Sequence, residues 1–300
     1  MEKAVTESIG FIGVGLMGHG IATNLLKAGY PVTVIGHRNR QPVEDLVHRG
    51  AAEAASARDL MASSSVLFLC LPDAVAVEAI VQENRDALRP GAVVVDCSTS
   101  DPVVSQRLAQ DLSVQGVEFC DAPLAGTPDQ AAAGTLHAMV GASDDVFLRL
   151  QPLFATWAEK VVRVGGVGDG HRMKLINNFL ALGYGALYAE ALAVARKSGL
   201  TVEQVDRVIR GGRMDCGFYR SFMGYALEGD RDAHRFTLTN AFKDMRYVEA
   251  MGNSAGCSTY LASTIKNSYA MAVASGGDGA DSYVPHLPDF VAHANGVFDG

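Results

Sequence analysis

Up to about residue 170 this 300-residue chain alternates short, almost continuously apolar runs with helical stretches; beyond it the apolar runs stop. The runs are SIGFIGV, PVTVIG, SVLFLCLP, AVVVDCS and VEFCDAP, with a further pair expected around LHAMVGA and KVVRVG. Runs rich in Val, Ile and Phe without polar alternation belong to parallel strands covered on both faces. Between them lie helical stretches such as residues 17–28, with Met17, Ile21, Leu25 and Ala28 on one side and Gly29 placed to end the helix. The alternation predicts a doubly wound α/β sheet over residues 1–167.

Residues 168–300 read as all-helical. One long helix is expected over 171–197, and Thr201 followed by Gln204 is a capping-box signature for the next, which Gly211-Gly212 stops. Further helices are expected over 238–251, 256–274 and 281–295. The long helix would begin where the two domains meet, and a cleft is expected at that junction.

The turn after the first strand is Gly13-Val-Gly15-Leu16-Met17-Gly18, a G-x-G-x-x-G pattern between strand and helix. There the first glycine makes the turn, the second admits a pyrophosphate to the backbone, and the third lets strand and helix pack closely. In this setting the motif predicts a Rossmann-type dinucleotide site. The second strand runs into IGHRNR, which offers Arg38 and Arg40 and no acid for the ribose hydroxyls. Arginine suits the extra phosphate of NADP, so NADP is expected ahead of NAD. The plainer reading of both arginines is a side chain in water.

The segment GGVGDGHRMKLINN, residues 165–178, puts Lys174 one helical turn before Asn178, on the same helix face. A positioned ammonium stabilises the charge that grows on a carbonyl oxygen during reduction and delivers its proton, while the amide holds the substrate. Burial would ease release of that proton. The alternatives are a solvated helix lysine and a buried amide bonded to backbone. His171 and Arg172 read as helix surface.

A formal net charge of −8 argues against nucleic acid as a partner. No uninterrupted apolar run spans a bilayer, so no membrane is expected. MEKAVTESIGFIG lacks the features of a secretory signal. Five cysteines without metal spacing, with Cys70, Cys97 and Cys120 in strand-like runs, predict buried free thiols, no metal and a cytoplasmic setting.

Taken with their order, these motifs resemble the beta-hydroxyacid dehydrogenase family over nearly the whole chain. GFIGVGLMG matches its cofactor motif; CLP at 70–72 and DCST at 96–99 match its nicotinamide and ribose loops. DAPLAGT at 121–127 matches its substrate motif, GVGDGHRMKLINN its catalytic motif, and FTLTNAFKD at 236–244 its F…KD element. The resemblance implies an NAD(P)-dependent dehydrogenase or semialdehyde reductase acting on a small hydroxy acid, with Lys174 as general acid and base and Asn178 beside it. It places Gly13, Gly15, Leu16, Met17, Gly18, Arg38, Leu71, Pro72, Thr99 and Lys243 against the cofactor, with Asp244 near the closing interface. It also implies a homo-oligomer, dimer or tetramer, pairing through the long helix, although the small and apolar positions from Leu180 to Ala195 would equally suit packing within the subunit.

One position departs from the family. Where its substrate motif commonly has Ser-Gly-Gly, this chain has Ala125-Gly126-Thr127. The amides of 126 and 127 are expected to keep an anion grip. A lost hydrogen bond to a charged group is worth about 1.5–3 kcal/mol, enough to change the preferred substrate. Arg213 and Arg220, in a segment expected to face substrate, are candidates for an anionic tail or plain surface arginines. Cys216 is expected to serve packing. Two other functions stay open: an imine reductase, against which the Lys174–Asn178 pair speaks, and a non-catalytic cofactor-binding protein.

Overall fold

A computed structural model of the chain describes residues 7–275 and 279–297. Its residues fall into two compact units, Met1–Lys174 and Leu175–Gly300, and the division lies inside one helix.

The first unit runs β1 (Ile9–Ile12), α1 (Gly18–Lys27), β2 (Val32–Val34), α2 (Gln41–His48), β3 (Ala52–Glu53), α3 (Ala57–Ser63), β4 (Val66–Leu69), α4 (Ala74–Asn84), β5 (Val93–Asp96), α5 (Pro102–Ser113), β6 (Glu118–Asp121), β7 (Leu124–Ala125), α6 (Pro128–Ala133), β8 (Leu136–Gly141), α7 (Asp144–Phe154) and β9 (Ala158–Gly165). The strands form one sheet in the order β3-β2-β1-β4-β5-β6-β8-β7, with β9 against β8. From β3 to β6 every pairing is parallel. This is the Rossmann-type arrangement expected from the sequence. Successive residues of a strand enter opposite layers: Phe11, Phe68, Val93 and Val95 pack in one core, and Ile12, Leu67, Leu69 and Val94 in the other. Two covered faces are the reason the runs carry no polar alternation. Phe11 and Phe68, paired across β1 and β4, stack with centroids 5.7 Å apart.

The sheet is not wholly parallel. The two-residue β7 folds back antiparallel on β8, and β8 meets β6 antiparallel. β7 and β3 are too short to register as apolar runs.

The long helix α8 (Asp169–Lys197) leads into α9 (Val202–Ile209), α10 (Gly217–Glu228), α11 (Leu238–Ser254), α12 (Tyr260–Ala274) and α13 (Leu287–Ala294). Thr201 and Gln204 form the expected capping box. The second unit's core gathers Leu175, Leu182 and Ala189 of α8 around Tyr219, Phe222, Met245 and Tyr269. Helix α10 is not among the helices expected from the sequence; the Cys216 thiol, exposed rather than packed, accepts the Tyr219 N–H and caps it. α8 is long enough and, with a mean hydropathy of 1.3 over its most apolar window, apolar enough to cross a bilayer by length and composition alone; half of that window is buried by the protein itself.

Candidate active site

β1 ends in the glycine turn. Gly13 has φ +97°, and a Cβ there would lie 2.2 Å from the Cys70 carbonyl oxygen. A Cβ on Gly18 would lie 2.1 Å from the Gly13 carbonyl oxygen, so α1 starts hard against the turn. Gly15 is different: a Cβ there would meet nothing within 4 Å. Packing therefore demands glycine at 13 and 18 but not at 15, where the demand fits a ligand that must reach the backbone. Leu16 is exposed and Met17 half-buried beside it. The first turn of α1 carries no acid to oppose an anion at its N-terminus. These residues fit a dinucleotide pyrophosphate.

Past β2 the two arginines part company. Arg38 is exposed and, among the described residues, makes no ion pair. Arg40 is committed: its Nη1 lies 2.6 Å from Glu53 Oε1 and its Nη2 3.0 Å from Oε2. The expectation of no acid here is corrected, because β3 pairs with β2 and sets Glu53 opposite Val34. Hydrogen bonding to Arg40 holds the Glu53 carboxyl below its ordinary range.

The loops after β4 and β5 are neighbours, since Leu69 pairs with Asp96. The Leu71 N–H donates to Ser98 Oγ at 2.9 Å; Pro72 is exposed and Thr99 half-buried. Cys70, Cys97 and Cys120 are free thiols, and burial pushes all three up, Cys70 to about 12. At neutral pH they stay protonated and unreactive. Among the described residues no group of three or more His, Cys, Asp or Glu is placed to share a metal ion.

The substrate-motif loop is corrected in one respect. Ala125 ends β7 and Gly126 follows with φ +137°. Thr127 is the N-cap of α6: its Oγ1 accepts the Gln130 N–H at 3.3 Å, and its own N–H donates to Gln130 Oε1 at 3.0 Å. The 127 amide expected to grip an anion thus serves a capping box together with the Thr127 hydroxyl, which leaves the Gly126 amide as the loop's candidate donor. The loop is also tied to the nucleotide helix, because Asn24 of α1 donates to the Ala131 carbonyl at 2.9 Å.

The start of α8 is built around Asp121, the last residue of β6. Its Oδ1 accepts the Gly168 N–H and its Oδ2 the His171 N–H, each at 2.7 Å. Glycines surround it: a Cβ on Gly141 would lie 2.5 Å from Oδ1, and one on Gly170 would lie 2.4 Å from the Met139 carbonyl oxygen. Burial pushes the Asp121 carboxyl up, against the opposing pull of His171 and the two N–H groups. His171 is not helix surface. Its side chain is 0% exposed, with Nδ1 2.8 Å from Ser105 Oγ and Nε2 3.0 Å from the Ser98 carbonyl oxygen. Arg172 pairs with Asp169 at 2.5 Å.

Lys174, half-buried, and Asn178, buried, lie on α8 about 40° apart around its axis, as a four-residue step dictates. Within the second unit the Asn178 amide bonds a side chain rather than backbone: its Nδ2 donates to Asp244 Oδ2 at 2.7 Å. Asp244 is wholly buried, and its Oδ1 stands 3.2 Å from Lys243 Nζ without hydrogen-bond geometry. Lys243, expected against the cofactor, thus pairs with its neighbour Asp244. Asp244 therefore sets the amide's orientation, a role that spacing does not disclose. Arg220 is bound to Asp215 through Nε and Nη2, both at 2.9 Å. Arg213 is exposed and, among the described residues, makes no ion pair.

Residues 8–166 match the family model described as the NAD binding domain of 6-phosphogluconate dehydrogenase. Residues 168–284 match the one described as NAD-binding of NADP-dependent 3-hydroxyisobutyrate dehydrogenase. The chain is 35% identical over 212 residues to 2-(hydroxymethyl)glutarate dehydrogenase of Eubacterium barkeri, covering 70% of this chain and 69% of that one. The chain belongs to the beta-hydroxyacid dehydrogenase family. To 2-hydroxy-3-oxopropionate reductase of Escherichia coli, another relative, it is 37% identical over 211 residues, 68% of this chain and 70% of that one. The solved 3-hydroxyisobutyrate dehydrogenase of Mycobacterium tuberculosis superimposes with a TM-score of 0.85 at 25% identity, over 95% of this chain and 99% of that one. Membership makes this beta-hydroxyacid dehydrogenase an NAD(P)-dependent oxidoreductase acting on CH–OH groups of hydroxy acids.

Proposed function

We propose that this enzyme interconverts a small beta-hydroxy acid and its semialdehyde with NADP(H), using Lys174 as general acid and base. The observation that carries the chemistry is a lysine one turn from a buried amide whose orientation a buried carboxylate sets. When bound, the nicotinamide supplies or accepts the hydride. Lys174 stabilises the oxygen at which charge develops and passes it a proton through Nζ; in oxidation it takes the proton back. Asn178 has one N–H committed to Asp244 and its Oδ1 accepting from Asn177, and its second N–H donates to the substrate oxygen beside Lys174. The Gly126 amide is the proposed donor to the acid's carboxylate, and Arg213, exposed in the second unit, is a candidate for an anionic group of the substrate. Leu71, Pro72 and Thr99 are the proposed contacts of nicotinamide and ribose, and Lys243, paired with Asp244, is a further proposed cofactor contact.

The preference for NADP rests on Arg38, the exposed arginine past β2, since Arg40 is held by Glu53. The description of the second matched family model is consistent with it. The test is kcat/KM for NADPH and NADH across small semialdehydes, in wild type and Arg38→Ala. The reading expects NADPH to be preferred and the variant to lose affinity for NADPH alone, by roughly 1.5–3 kcal/mol. Preference for NADH in the wild type overturns it.

We also propose that a second copy packs along α8. Met173, Ile176, Leu180, Tyr184, Leu187 and Val194 are exposed, and their steps of three, four and seven residues lay them in one stripe. By the same geometry the stripe faces away from Lys174 and Asn178. Sedimentation of wild type and Leu187→Glu tests this: an oligomer that dissociates in the variant is expected, and a monomeric wild type refutes it.

A further inference from the structure

We propose that His171 is a positioning residue that bolts the first turn of the Lys174 helix to both nicotinamide-side loops. The proposal rests on the reading of Lys174 as proton donor. A carbonyl oxygen only accepts, so His171 Nε2 carries the hydrogen that it gives Ser98 at 3.0 Å. That bond grips the Ser98–Thr99 peptide. Ser98 in turn accepts the Leu71 N–H on its Oγ at 2.9 Å and donates its own N–H to Asp96 Oδ1 at 2.9 Å. One run of hydrogen bonds therefore leads from α8 through Ser98 to Leu71, joining the helix that carries Lys174 to the loops of Leu71, Pro72 and Thr99. The other ring nitrogen holds Ser105 of α5 at 2.8 Å.

The surroundings are too closed for the ring to be a chance occupant. It stands between two wholly buried carboxylates, with Nε2 3.8 Å from Asp96 Oδ2 and Nδ1 3.8 Å from Asp121 Oδ2. Among the described residues Asp96 Oδ2 has no hydrogen-bond partner, and the imidazole Nε2 stands 3.8 Å from it. Lys174 follows His171 by three residues, one turn on, so any movement of that first turn carries the ammonium with it. Displacements of about an ångström at a catalytic group cost roughly 100-fold in rate.

The test compares His171→Leu, which keeps bulk without a donor, with His171→Gln, whose Nε2 mimics the ring nitrogen facing Ser98. Amide hydrogen exchange of the cofactor-free protein reads the bolt itself. Exchange is expected to accelerate in the leucine variant at residues 98–100 and 172–175 and to return toward wild type in the glutamine variant. In the loaded enzyme kcat per folded molecule should fall roughly 10- to 100-fold in the leucine variant, with cofactor affinity and semialdehyde KM nearly unchanged, and should recover in the glutamine variant. Should the leucine variant fail to fold, Ser105→Ala, which removes the second bond, carries the same exchange readout over α5 and the first turn of α8. Unchanged exchange at these residues, or an undiminished kcat, overturns the proposal. A wild type that reduces no carbonyl overturns the dehydrogenase reading instead, and exchange still judges the bolt.

Discussion

Asp244 offers a direct measure of how much orientation matters in this site. Its Oδ2 accepts the Asn178 amide at 2.7 Å inside the second unit's core, with no solvent to compete. A hydrogen bond to a buried charged group contributes about 1.5–3 kcal/mol, and a neutral one about 0.5–1.5. Asp244→Asn keeps the volume and still presents an acceptor to Asn178, so it forfeits the difference, about 1–1.5 kcal/mol, or roughly 5- to 13-fold in kcat/KM. Asp244→Ala forfeits the whole bond, roughly 10- to 150-fold, and adds a cavity cost to stability. The decisive assay is a double-mutant cycle of Asp244→Asn and Asn178→Ala on semialdehyde reduction. If the carboxylate acts through the amide, the two effects overlap and the coupling energy is about 1 kcal/mol or more. Additive effects, coupling below about 0.3 kcal/mol, would refute the claim that Asp244 orients Asn178.

Two further outcomes follow from the geometry. Asp215 is held down to about 2, chiefly by the Arg220 hydrogen bond and next by the Gly211 N–H. Its folded value lies below its ordinary 3.8, so its contribution is present above about pH 4 and is lost as pH falls toward 2; urea midpoints of wild type and Asp215→Asn should converge over that interval, and a constant gap would count against it. Thr127→Ala removes the α6 cap and should lower stability by about 1 kcal/mol while leaving the KM for NADPH unchanged; a substrate KM raised tenfold with stability intact would instead return the hydroxyl to the substrate.

The parallel strands and the glycine turn were legible because burial on both sheet faces writes itself into the runs around Phe11 and Phe68. Helix α8 was legible for a similar reason, its apolar positions facing the second core. The Thr127–Gln130 capping box carries the same spacing as Thr201–Gln204, but it lies inside the substrate motif, whose resemblance implies an anion grip by the 127 amide rather than a helix start. His171 had a signal too: with Leu175, Asn178 and Leu182 it recurs in steps of four, three and four, all on the buried side of α8. Glu53 had none, because only the pairing of two short strands brings it to Arg40. Asp244 was legible as an element of a motif, while its bond to Asn178 depends on how α11 packs on α8, and helix α10 was hidden behind Gly217 and a thiol cap.

The central claim is that Lys174 donates the proton. Lys174→Ala, assayed for semialdehyde reduction with NADPH and for NADPH binding by fluorescence, tests it most directly. The account predicts a kcat lower by roughly two to four orders of magnitude, as for loss of a general acid, with NADPH affinity preserved. A variant that binds NADPH and still turns over at the wild-type rate would contradict it.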